Sequence, residues 1–208
     1  MTTLATLQTN IAAALRDSAN STFTTTELTA FINRGLNELG GVYPREIVNT
    51  STTVSSGVYS YALPTGMTYP YRVDIYTDAG SYYATLAPSR GEGPNDGWQV
   101  HNGTLYLPPG MSLTTGYTLH LYGYGVYTQL SATSDTTDLD TVGEWAVLLY
   151  AQMAGLKALT IDRALFQQWQ ADANNTDVTP IAVGQLYQIA RRDWTDEKTR
   201  LRKLRKSG

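Results

Sequence analysis

"FTTTELTAFINRGLNELGG" occupies residues 23–41, and its reading decides how the rest of the chain is divided. Thr24 and Glu27 stand three apart, as in a capping box. The hydroxyl accepts from a backbone N–H left free at the helix start, and the carboxylate reaches back to the cap. Leu28, Phe31, Ile32, Leu36 and Leu39 follow at the spacing of one helical face. Gly40-Gly41 supplies a stop, because glycine tolerates the left-handed conformation that ends many helices. Upstream, Leu4, Leu7, Ile11 and Leu15 make a second stripe, and "DSANSTF" (17–23) interrupts it. Residues 3–40 therefore read as a helical hairpin, and 1–44 as the first part of a bundle.

Beyond residue 45 the period changes to two. "VYSYALP" (58–64) alternates Tyr59, Tyr61 and Leu63 against Val58, Ser60 and Ala62. "YRVDIYT" (71–77) sets Tyr71, Val73 and Ile75 against Arg72, Asp74 and Tyr76, and "GYTLHLYGYGVY" (116–127) sets Tyr117, Leu119 and Leu121 against Thr118, His120 and Tyr122. Asn102-Gly103, between "WQVH" and "TLYL", is a strong hairpin signal. Prolines fall at the ends of these runs or between them, where a missing N–H does least harm. Roughly five to seven short antiparallel strands are expected over 45–130, forming a small sandwich or barrel.

From residue 131 the helical period returns. Thr141 and Glu144 form a second capping signature ahead of Trp145, Leu148, Leu149, Met153 and Leu156. Asp162 to Ala173 reads as a further helix. Thr179 then caps a helix with Pro180 in its first turn, where proline costs no hydrogen bond. Ile181, Leu186, Ile189 and Ala190 continue its stripe, which fades past Trp194 to Leu201 and Leu204. The fold class is α+β: a helical bundle (1–44 and 131–208), an inserted small antiparallel β sandwich or barrel (45–130), and an extended C-terminal helix.

The net charge of −3 hides an asymmetry. Residues 1–190 hold 7 Lys/Arg against 15 Asp/Glu, whereas 191–208 hold 8 against 3. The first part is acidic and the end is basic. A charged end is a solvated tail, or it docks on something acidic: nucleic acid, a membrane surface or an acidic protein. Arg191, Arg192, Lys198, Arg200, Arg202, Lys203, Arg205 and Lys206 are the partner-binding candidates, with plain solubility as the alternative. Tyrosine occurs 15 times and phenylalanine 3 times. A tyrosine ring buries area and keeps a wet tip, which suits half-exposed strands and interfaces. Tyr76, Tyr122 and Tyr124 are candidates for subunit contact, or for ordinary packing.

Motifs for chemistry are missing. There is no cysteine, hence no disulfide and no thiolate. His101 and His120 have no third ligand at suitable spacing. Asp135, Asp138 and Asp140 lack the glycine and ligand intervals of a calcium loop and suit turns and helix starts. "YGYGVY" (122–127) opens no helix and is not a dinucleotide fingerprint, "GEGPNDG" (91–97) lacks the Lys-Ser/Thr of a phosphate loop, and no G-x-S-x-G occurs. No enzyme, metal or cofactor is expected. No signal peptide is read at the start, and no run of about 18 apolar residues suggests a membrane span.

These stretches, in this order, resemble phage head-to-tail adaptor proteins, the connectors or neck proteins that include tail tubular protein A. "FTTTELTAFINRGLNELGGVYP" (23–44) is similar to the family pattern F-(S/T)-x-x-E-L-x-x-(Y/F)-(I/L)-N-x-(A/G)-L-x-E-L. "GVYSYALPTGM" (57–67) resembles its G-x-x-x-Y-x-L-P strand and turn, and "TLYLPPGM" (104–111) its L-x-L-P-P strand end. "VGEWAVLLYAQMAGLKAL" (142–159) and the basic C-terminal helix complete the order. The Gly-rich stretch 89–97 and the Tyr-rich strands depart from the pattern. The resemblance implies a virion protein at the head–tail junction, made in the host cytoplasm. It implies a ring, typically of about twelve subunits, seated against the portal protein through C-terminal segments and meeting tail or neck proteins. DNA would pass through the lumen without specific binding. Removing residues 195–208 is expected to leave the fold intact and weaken portal attachment. The rival readings are a DNA-binding module using the basic tail and a carbohydrate-binding virion surface protein.

Overall fold

A computed structural model describes residues 2–91, 96–111, 113–172 and 175–207, with side chains described as far as Leu204. Two compact units emerge. One combines residues 1–43 with 127–208, and the other is 44–126. The architecture is α+β, five helices with two antiparallel sheets among the described residues.

The helical unit holds α1 (Leu4–Ala14), α2 (Thr25–Gly40), α3 (Thr141–Ile161), α4 (Arg163–Gln170) and α5 (Pro180–Ser207). The capping box at Thr24 forms: the Glu27 N–H donates to the Thr24 hydroxyl at 3.2 Å, and the Thr24 N–H donates to the Glu27 carboxylate at 2.8 Å. Gly41 is right-handed (φ −73°, ψ −18°), so α2 does not end through the left-handed glycine expected. Val42 and Tyr43 instead return their N–H groups to the Leu39 carbonyl before Pro44, which has no N–H to give. The cap of α3 is Asp140, one residue ahead of the Thr141 expected. Its carboxylate accepts the Gly143 N–H at 2.7 Å. Tyr43 donates its hydroxyl to the other oxygen of the same carboxylate at 2.8 Å, which raises the phenol above its ordinary value.

Two residues of the α2 motif have visible work. Asn33 donates to the Leu130 carbonyl and accepts from the Leu130 N–H, both at 2.9 Å, and so pins the segment that returns to the bundle. A Cβ at Gly35 would sit 3.3 Å from both Val147 and Tyr150, so glycine there lets α2 and α3 approach closely. Helix α3 is the centre of the unit. Ala146, Val147, Leu149, Ala151, Gly155, Leu156 and Leu159 are buried on several of its sides, as expected for a helix that packs against more than one neighbour.

The β unit contains β1 (Arg45–Thr53), β2 (Ser60–Ala62), β3 (Met67–Tyr76), β4 (Tyr82–Leu86), β5 (Gln99–His101), β6 (Thr104–Tyr106) and β7 (Thr118–Gly125). They form sheets of order β1-β7-β3-β4 and β2-β6-β5. Val54, Met67, Val73, Ile75, Trp98, Leu105, Leu107, Leu119 and Leu121 form a core drawn from both. Asn102 and Gly103 both have positive φ (48° and 72°), the pair a type I′ turn requires. The glycines of "YGYG" (122–125) are explained by crowding. A Cβ on Gly125 would lie 2.0 Å from the Gly66 carbonyl oxygen, and one on Gly123 would lie 2.9 Å from the backbone of Tyr69 and Pro70.

Candidate partner interfaces

Helix α5 carries the predicted basic cluster. Val183, Ala190, Trp194, Glu197 and Leu201 are buried along it, with Tyr187 half-buried between them. The steps alternate between three and four, one continuous stripe. The sequence reading lets this stripe fade past Trp194, yet Leu201 is 0% exposed. A charged residue can occupy the buried Glu197 position because Arg200 grips it at both oxygens, Nε at 2.8 Å and an Nη at 2.5 Å. Lys198 is also engaged: its ammonium donates to the Glu38 carboxylate at 3.1 Å and lies 5.9 Å from the Trp194 ring centre. Arg192 is exposed, with the Asp193 carboxylate 4.0 Å away. Arg191, Arg202 and Lys203 are exposed and form no ion pair among the described residues. Arg205 and Lys206 lie on the helical backbone, but their side chains fall outside the described residues. The structure thus divides the predicted cluster. Lys198 ties α5 to α2 through Glu38, Arg200 is engaged by Glu197 within α5, and Arg202 and Lys203 lie beyond the last buried residue.

Tyr76, Tyr122 and Tyr124 share the outer face of the four-stranded sheet. Tyr76 stacks on His120 (3.9 Å between ring centres, 18° between planes), Tyr122 lies 5.1 Å from the Arg72 guanidinium, and Tyr124 packs 5.1 Å from Tyr71. Each is half-buried by these neighbours. Tyr69, Tyr71 and Tyr82 are more exposed, Tyr69 at 72%, and these were not singled out from sequence. Strict alternation puts Tyr71 on the same face as Val73, which is buried. A bulge between Pro70 and Arg72 turns it outward, because one extra residue shifts every following side chain to the other face. Its hydroxyl donates to Glu46 at 2.5 Å, which pushes the phenol up to about 12.

Asp74 lies at the centre of that face and is 0% exposed. Arg72 reaches both of its oxygens (Nε to Oδ1 3.0 Å, Nη2 to Oδ2 2.7 Å), and Thr85 donates to Oδ1 at 2.6 Å. Burial pushes this carboxyl up. The hydrogen bonds from Arg72 and Thr85 and the Arg72 charge together outweigh it and hold the group below its ordinary value. The signal in sequence was the spacing of two: Arg72 and Asp74 are successive outward residues of one strand.

No group of three His, Cys, Asp or Glu residues among the described residues is placed to hold a metal ion. His101 is exposed at the β5–β6 turn, and His120 lies under Tyr76. Asp135 accepts the Ser131 and Ala132 N–H groups at 2.7 and 2.8 Å, and Asp140 caps α3, so these two do the work of turn and helix-start aspartates. No described helix is long and apolar enough to cross a membrane.

No curated protein matches this chain. A family model described as SU10 adaptor protein matches residues 2–202, a span that takes in both compact units and all but the last residues of α5. With a body built of packing residues, hairpin turns and helix caps, and with 8 of its 15 Lys and Arg residues in the last helix, the chain belongs to the SU10 adaptor protein family and is a structural phage adaptor that associates with other head or tail proteins.

Proposed function

We propose that the chain assembles as a ring in the phage neck, seated against the portal protein, with the tail on its other side and DNA passing through the lumen. The observation that carries this reading is the division of α5. Its stripe is buried as far as Leu201, and the helix runs on to Ser207 with Arg202 and Lys203 exposed. An exposed cationic helix end beyond a packed stem suits docking on an acidic portal surface, where charge steers encounter and fixes register. Arg191 and Arg192, further back on the same helix, would extend the contact. The outward tyrosines around Tyr76, Tyr122 and Tyr124 would meet a neighbouring subunit, since amphipathic rings are favoured at interfaces. The acidic balance of residues 1–190 would keep passing DNA from adhering.

The test is electron microscopy of the full chain mixed with the portal protein of the same virus. Ring-shaped density added to the portal is expected with the full chain and not with a chain ending at Leu201. A mixture that leaves the portal bare with the full chain refutes the reading.

A further inference from the structure

The helical unit carries two complementary patches on opposite sides of one helix. The first is a cleft of about 730 Å³ between α2, α3 and α5. Phe31, Tyr150, Met153 and Tyr187 line its floor, and Arg34, Lys157 and Arg191 stand on its rim. These three cations form no ion pair among the described residues, while the one rim carboxylate, Glu38, is taken by Lys198. The cleft is therefore apolar below and positive at the edge.

The second patch is the start of α3. Trp145 is 55% exposed, whereas Trp98, Trp169 and Trp194 are all buried. Asp140, the cap of α3, and Glu144, in its first turn, stand beside it. Trp145 is an exposed aromatic knob in a negative setting. It lies nine positions before Ala154, which lines the cleft. Nine positions are about two and a half helical turns, so the two residues point in opposite directions from α3.

The geometry points to a head-to-tail contact between two copies of this chain, in which Trp145 of one enters the α2–α3–α5 cleft of the next. A knob and a cleft on opposite sides of one helix cannot satisfy each other within a chain. They also do not make a self-complementary patch, so the contact repeats from copy to copy and closes a ring or runs on as a filament. Tryptophan and arginine are the residues that most often dominate such interfaces. The charge match, carboxylates around the knob and cations around the cleft, selects this pairing over knob-to-knob or cleft-to-cleft. The contact rests on the ring reading above, to which it assigns a specific surface.

The test is sedimentation of the full chain over a rising concentration series, with acrylamide quenching of tryptophan fluorescence alongside. Self-association is expected, with Trp145, the exposed indole, losing its quenching as complexes form. Trp145→Ala should weaken association about thirtyfold or more. Glu144→Lys and Lys157→Glu should each weaken it, and the chain carrying both should regain association, because each reversed knob then meets a reversed cleft. Thermal melts of the four variants establish that they fold. If the wild type associates and Trp145→Ala associates equally well, or if the double variant is weaker than both singles, another face makes the contact. A wild type that stays monomeric at every concentration also overturns it. The portal micrograph separates the two ideas: rings formed there equally by Trp145→Ala sink this contact and leave the ring reading standing.

Discussion

Ending the chain after Trp194 and ending it after Leu201 should have different consequences, although the cuts are only seven residues apart. Deleting 195–208 removes Leu201, whose burial contributes about 1.5–3 kcal/mol. It also breaks the Lys198–Glu38 pair, which is half-exposed and worth about 0.5 kcal/mol. Glu197 and Arg200 leave together, so no buried charge is stranded. Uncovering Trp194 and its neighbours adds about 1 kcal/mol. The loss is about 3–4.5 kcal/mol, which for a chain of this size lowers the melting temperature by roughly 6–18 °C. Deleting 202–208 removes exposed Arg202, Lys203 and Leu204 and should change stability by no more than about 0.5 kcal/mol. The assay is thermal unfolding followed by helical ellipticity, paired with binding to portal. Both truncations should lose portal attachment, and only the longer one should lose stability. Deleting 195–208 is thus expected to leave the fold in place but measurably less stable. If the two truncated chains melt together at the temperature of the full chain, Leu201 does not belong to the core and the argument for a packed stem fails.

Two further outcomes concern the β unit. Arg72→Met should destabilise it more than Asp74→Asn, because the first strands a buried carboxylate while the second leaves a half-exposed guanidinium that water can solvate; equal losses in urea unfolding would show that burial of Asp74 is unimportant. Because Asp74 is held below its ordinary value of 3.8, the stability it gives is complete above that value and is lost as pH falls through the lower folded value, so Asp74→Asn should flatten the acid limb of the β unit's stability profile. Gly125→Ala should cost more than about 2 kcal/mol, since the new methyl meets the Gly66 carbonyl oxygen in a packed sheet; a melt unchanged from the wild type would contradict the close approach of these strands.

Period and punctuation made most of the elements legible. Thr24 with Glu27, Pro180 after Thr179, and Asn102-Gly103 each announce an element boundary through chemistry local to a few residues, and each forms in the structure. Strand β7 alternates buried and half-buried residues throughout, as its sequence alternates. Misreadings arose where the outcome depends on distant residues. Thr141 and Asp140 are both competent caps, and Tyr43, 97 positions away, binds the aspartate. Tyr71 changes face because a bulge at Pro70 intervenes, which alternation alone does not reveal.

The helix–strand–helix order, the acidic body with its basic end, and the lack of cysteine are legible in the letters alone, because these follow from composition, spacing and local capping. Which cations are committed within the chain, the burial of Asp74 on an outward face, and the placing of Trp145 and the cationic cleft on opposite sides of α3 come from the packing of the elements. Burial and pairing depend on which surfaces meet. A lysine beside Glu38 and a lysine beyond Leu201 look alike in the sequence, and only folding gives the first a partner and leaves the second exposed.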